Sequence, residues 1–168
     1  TGNRALQLPM GNRMIEIRAR KERELSESVQ RFAGIVGLAG DGVISMDSEQ
    51  RIILFNAAAE KMFGYRSEEV AGEPIDRLIP ALFRANHRQD VERFGATGES
   101  AKAMGARRPI SGVRASGEEF PIEASISQLV IGGRKIYTII LRDISERVRA
   151  EAEIRKLNAE LEDRVRER

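Results

Sequence analysis

The 168-residue chain has no cysteine and no tryptophan, only six Phe and two Tyr, and a single histidine, His87. The missing cysteine rules out disulfides, thiolate catalysis, cysteine-ligated zinc or iron–sulfur clusters, and blue-light chemistry through a flavin-reactive thiol. It fits a reducing cytoplasm, the expected location. So few aromatic rings leave little to stack on bases or sugars. Basic and acidic residues nearly cancel, 28 against 26, and alternate along the chain, so there is no cationic face and nucleic acid is not an expected partner. No apolar run approaches the length of a membrane span, and the N-terminus lacks the order of a signal peptide. One histidine, with no nucleophile-elbow motif and no metal-ligand cluster, cannot assemble a triad or a zinc site, so no enzyme is expected. The glycines of "GIVGLAGDG" (34–42) precede a strand rather than a helix N-terminus, which makes the segment a linker rather than a phosphate cradle.

What is present suits one compact domain with appendages. "MIEIRARKERELSESVQRF" (14–32) is free of Gly and Pro and rich in helix formers, with Leu25, Val29, Phe32 and Val36 spaced as one stripe. At the other end, Ala150, Ile154, Leu157 and Leu161 step by four, three and four, the seam of a coiled coil whose next core position is Arg164. A seam this short is marginal alone and wants a partner. Asp143 is placed to cap this helix, with Glu146 able to reach back. The expected division is 1–31 as an N-terminal flanking helix, 32–143 as the folded domain and 144–168 as a coiled-coil linker.

Between the helices the pattern turns to alternation. "GVISMD" (42–47) and "RIILFN" (51–56) form a hairpin signal, after which Asn56 can cap and Gly64 can stop a short helix. Brief turns follow to Pro80, then a longer helix over 81–95. Strands are expected at 103–114, 119–129 and 135–142, separated by turns at "ASG" (115–117) and "IGG" (131–133). The fold class is therefore α+β: a five-stranded antiparallel sheet with short helices on one face and flanking helices at both ends. The first and last strands are apolar on both sides, which requires a cover on each face of the sheet. In the 81–95 helix, Phe83, His87, Val91 and Phe94 share one face, which should turn toward the sheet. His87 is then an inward imidazole, which ordinarily hydrogen-bonds a backbone group.

These segments in this order, "DGVISMDSEQRIILFNAAAEKMFGY" (41–65), "EEVAGEPIDRLIP" (68–80), "RASGEEFPIEASIS" (114–127) and "LRDISER" (141–147), resemble the PAS domains of bacterial sensory proteins. The last is similar to that family's Asp-Ile-Thr exit motif, with Ser145 in place of Thr. The resemblance implies a sensory and dimerisation module. It would relay a signal through Asn56, Asp143, Ile144 and Ser145 into an exit coiled coil and on to an effector, most often a histidine kinase, less often a diguanylate cyclase. It implies a homodimer formed through the N-terminal helix, the sheet and the coiled coil, and leaves room for an unidentified small ligand. "HRQDVERFGATGE" (87–99) is also similar to the ligand segment of the oxygen-sensing haem subgroup. That likeness makes His87 the candidate ligand of a haem b iron and Arg108 the candidate partner of bound oxygen or a propionate. The implied pocket adds Phe83, Val91, Phe94, Met104, Ile126 and Ile140. A protein-interaction relay without ligand is the other alternative, and flavin is not an expected cofactor.

Overall fold

The computed structural model describes residues 10–38, 40–104 and 110–167. Helix α1 (Met10–Leu38) leads into the hairpin β1 (Gly42–Met46) and β2 (Ile52–Phe55). The hairpin turn is an Asx turn: Asp47 Oδ1 accepts from the N–H of both Glu49 and Arg51, each at 2.9 Å. Inside it, Gln50 takes the left-handed conformation, φ 62°, the one non-glycine residue to do so among those described. Then come α2 (Ala57–Phe63), α3 (Ser67–Val70), two 3-10 turns (Ile75–Leu78 and Ala81–Phe83) and α4 (Arg84–Thr97). Strands β3 (Ala101–Met104), β4 (Ile110–Val113), β5 (Glu119–Ile131) and β6 (Arg134–Asp143) complete the sheet, and α5 (Ser145–Arg166) leaves it.

The sheet is antiparallel and mixed with helices as expected, in the order β2-β1-β6-β5-β3, with β4 also paired to β5. It has six strands rather than five because the segment expected as one strand is two. Ala101–Met104 pairs with Ser127–Ala124 and Ile110–Val113 with Ile122–Glu119, both on one edge of β5. The β5–β6 turn places Gly132 and Gly133 at φ 57° and 78°, the two left-handed residues that a tight two-residue hairpin demands.

One face of the sheet carries the core. Ile44 and Met46, Phe120, Ile122 and Ile126, and Tyr137, Ile139 and Leu141 meet Phe63, Val70, Ile75, Leu78, Val91 and Phe94 from the helical side. The opposite face is covered by α1, beneath which Val43 and Ser45 are buried and the Ser45 and Thr138 hydroxyls pair at 3.0 Å. The stripe expected on α1 splits. Val29 and Val36 turn toward the body, whereas Leu25 and Phe32 are 37% and 55% exposed. Close approach is the reason: Ala33 is fully buried, and a Cβ on Gly37 would lie 2.9 Å from the Asn56 side chain. Small residues therefore hold the contact and the phenyl ring rotates out. Gly95, expected to end α4, lies inside it; the helix stops at Gly98, φ 72°. A Cβ at Gly95 would sit 2.1 Å from the Tyr137 hydroxyl, so this glycine serves helix-on-sheet packing.

Candidate functional site

Helix α4 closes the inner face of the sheet and is held at both ends. At its C-terminal end, Gln128 Nε2 donates to the Phe94 carbonyl at 3.2 Å and Lys135 Nζ to the Gly95 carbonyl, using carbonyls that a helix end leaves free. At its N-terminal end, the buried Gln50 donates through Nε2 to the Arg88 carbonyl at 3.1 Å, and Arg88 pairs with Asp76. His87 lies in this second region and is half-buried. Its Nδ1, Gln50 Oε1 and Asp76 Oδ1 are buried with no hydrogen-bond partner in the structure. Burial lowers the His87 imidazole below its ordinary range, against the opposing pull of the Asp76 and Asp90 carboxylates.

Of the pocket residues named from the sequence, Val91, Phe94 and Ile126 meet in the core, with Met104 packed against them. Phe83 does not join: it falls in the 3-10 turn before α4, where the change of helical pitch rotates it outward to 49% exposure. Nor does Ile140. Its neighbours Ile139 and Leu141 face the core, so the strand's two-residue period puts Ile140 on the outer face, opposite Val43. Arg108 lies outside the described residues. In this packing, Val91 and Phe94 of α4 and Ile126 and Tyr137 of the sheet are all buried in one cluster. A haem needs a slot of many side-chain volumes there. Two clefts of about 470 and 410 Å³ open elsewhere, between α1 and β2 and on the outer sheet face around Ile140. Among the described residues, this packing thus offers a haem no slot beneath α4.

The exit from the sheet is built differently. Only Ile144 separates β6 from α5, and its N–H donates to the Pro121 carbonyl at 3.1 Å, so the chain turns from strand to helix while tied to β5. Asp143 Oδ1 accepts from the Ser145 N–H at 2.8 Å and from its hydroxyl, and Oδ2 takes Arg114 Nη2 at 2.7 Å. Burial raises the Asp143 carboxyl, but the Ser145 and Arg114 contacts outweigh it and leave the group below its ordinary range. Arg114 was not singled out by the sequence, yet it is the hub here. Its guanidinium stacks 3.7 Å from the Phe120 ring, donates to the Met62 carbonyl at the end of α2 and pairs with Glu118. The signal that could have exposed it is its position ahead of the "ASG" turn, which points the side chain back along the sheet.

Asn56 does more than cap. Its Oδ1 accepts from Val43 N and Ala59 N at 2.8 and 2.9 Å, and its Nδ2 donates to the carbonyls of Ala33 and Asp41 at 3.0 and 3.2 Å. One amide thereby makes every hydrogen bond it can, to α1, the α1–β1 connection, β1 and α2. Beyond its first turn α5 touches little; none of its residues is buried, and Ile154, Leu157 and Leu161 are about half exposed. Among the described residues no group of carboxylates or imidazoles could hold a metal ion, and no helix is long and apolar enough to cross a membrane.

The family described as PAS domain matches residues 40–146. The chain is 31% identical over 121 residues to the sensor protein FixL of Bradyrhizobium diazoefficiens, which covers 72% of this chain and 24% of that protein. It is 29% identical over 116 residues to the oxygen sensor protein DosP of Escherichia coli, covering 69% of this chain and 14% of that one. The chain therefore spans less than a quarter of the length of these relatives. Among solved structures, the PAS domain of a Colwellia psychrerythraea protein superposes with a TM-score of 0.57 at 18% identity, over 73% of this chain and 98% of that one.

Proposed function

Because the chain belongs to the PAS domain family, we propose that it is the sensory and dimerisation module of a larger cytoplasmic signalling protein. It relays a change in its core through α5 to an effector, a histidine kinase before a diguanylate cyclase. In this reading residues 1–31 flank, 32–143 sense and 144–168 transmit. The observation that carries it is the exit: β6 passes into α5 through one residue, and α5 then presents an apolar seam that none of the described residues covers. A central strand joined to a rod without a hinge converts a shift of the sheet into rotation or splaying of the rod. The seam is self-complementary, so a second copy in parallel is the partner that buries it. The catalytic step belongs to the effector; this module does none.

Sedimentation analysis of the full chain and of a chain ending at Arg149 tests the reading. Loss of self-association on truncation supports it, and an unchanged dimer moves the contact to α1 and the sheet and removes the rod from the mechanism. What occupies the core is a separate question with its own test. The absorption spectrum of purified protein should lack a Soret band if the core stays filled, as the packing of Val91, Phe94 and Tyr137 favours. A band lost in His87→Ala would instead make this a haem-based sensor with His87 as the iron ligand. Without haem, His87→Ala changes only stability, by about 1–3 kcal/mol.

A further inference from the structure

Two side-chain networks end on neighbouring residues of β6. The first comes from the helical cover: Met62 carbonyl, Arg114, Asp143, Ser145. The second comes from α1 and never passes beneath α4. It starts at the Ala33 carbonyl, which Asn56 joins to the Asp41 carbonyl. The Asp41 carboxylate then takes Arg142 in a two-pronged contact, Nε at 2.8 Å and Nη2 at 3.0 Å. Arg142 stands directly across the strand pair from Glu123. Glu123 in turn holds Arg147 in the first turn of α5, and Arg147 reaches Glu151 at 3.9 Å.

The links differ in character. The Asp41 side chain is only 15% exposed and bound at both oxygens, a geometry that fixes direction as well as distance. Glu123 and Arg147 are about half exposed, where a single ion pair is worth little to global stability. Yet α5 has no buried residue, so beyond the ties of Asp143 and Ile144 at its root it is weak contacts of this kind that set its angle. Glu123 also has two cations within reach, Arg142 across the ladder and Arg147 on the helix, and opposite strand neighbours sit about 5 Å apart at Cβ. While Asp41 occupies Arg142, Glu123 is left to Arg147. If α1 withdraws Asp41, Arg142 turns to Glu123 and Arg147 loses its anchor. That is a two-state element with discrete partners, as transmitted coupling requires.

We infer that Asp41, Arg142, Glu123 and Arg147 form a second input line into α5, carrying the position of α1 to the exit helix by exchange of ion-pair partners and independently of the core. Upstream strain and core state are then summed at Arg142 and Asp143. The inference rests on the relay reading for its purpose, but the coupling itself is measurable within one chain. Hydrogen exchange followed by mass spectrometry on the full 168-residue protein, which has no cysteine to complicate handling, reads the α5 segment 145–155 against β5 and β6.

In Asp41→Asn, exchange in 145–155 should rise roughly three- to tenfold with the strands unchanged. Arg142→Gln, at a mostly exposed side chain, should leave 145–155 protected, since no cation then competes with Arg147 for Glu123, and combined with Asp41→Asn it should cancel that variant's rise, which covers the case in which Asp41→Asn merely disturbs the connection to β1. The reversed pair Asp41→Arg with Arg142→Asp should restore protection. Glu123→Gln should loosen α5 by itself, and adding Asp41→Asn to it should change nothing more, since both empty the same anchor on Arg147. Unaltered α5 exchange in Asp41→Asn, a rise that persists when Arg142→Gln is added to it, or additive effects of Asp41→Asn and Glu123→Gln overturn the inference. Truncation that leaves the dimer intact defeats the relay reading instead and does not touch these ratios.

Discussion

Helices α1 and α5 both flank the sheet and both carry apolar stripes, yet one is docked and the other is free. Helix α1 gives Ala33 and part of Val29 and Val36 to the outer face, and Asn56 reaches over to bind its Ala33 carbonyl. Helix α5 gives the body nothing buried; it is held only where it starts, by Asp143, Ile144 and the Glu123–Arg147 pair. The difference teaches where each helix gets its orientation. The fold itself places α1, since burial and a fully used amide fix it. The direction of α5 is set by a few polar contacts at its root and by whatever covers its seam, so small energies can steer it. The docked helix still exposes Phe32 and Ile35, and the undocked one exposes Leu157 and Leu161, so both flanking helices keep apolar surface in water.

Charging the seam should separate the two helices most sharply. Leu157→Glu with Leu161→Glu is expected to weaken self-association at least about a hundredfold, because like charges then face each other across the seam. The melting temperature of a dilute, monomeric sample should stay unchanged; a lower one would mean that α5 packs on its own sheet after all. Next in size, Asn56→Ala should destabilise the fold by about 2–4 kcal/mol in urea titration, leaving two donors and two acceptors around it unpaired. A loss below about 1 kcal/mol would show that α1 is held by burial alone. Arg114→Gln should cost about 1–2 kcal/mol, since Asp143 is partly solvated and Ser145 still supports it. It should also speed exchange at the start of α5 while leaving α1 untouched.

The smallest effect is a pH dependence. Burial keeps the folded His87 imidazole neutral to lower pH than the unfolded chain, which takes up its proton near pH 6.5. Its contribution is therefore complete above that pH and declines as pH falls below it. Urea midpoints between pH 7 and 5.5 should drop less steeply in His87→Gln than in the parent. Since no other histidine titrates in this window, equal slopes would mean the ring is solvated and the N-terminal end of α4 as open as α5.

Most of the architecture was legible because it rests on short-range chemistry. Alternation marked the strands, Asn56 and Gly64 marked α2, and the paired glycines at 132 and 133 marked the β5–β6 turn. The core half of α4 followed from spacing, since Val91 and Phe94 are buried as their period requires. Misplacements came from three-dimensional detail. Phe83 precedes the helix whose phase was applied to it, Ile140 belongs to the other pleat, and Gly95 answers to a hydroxyl 42 residues away in the chain rather than to a helix end. Arg114, Asp41 and Gln50 passed unnoticed because nothing local distinguishes a bridging side chain from a solvated one.

Local sequence, then, determined which segments become strands and helices and that an apolar seam runs along the C-terminal helix, because periodicity and capping act over a few residues. Only the tertiary structure decided which side chains join α1 to β6 and α2 to α5. Arg114 and Asp143 are 29 positions apart and Asp41 and Arg142 are 101 apart, and such geometry exists only once the sheet has brought those positions together.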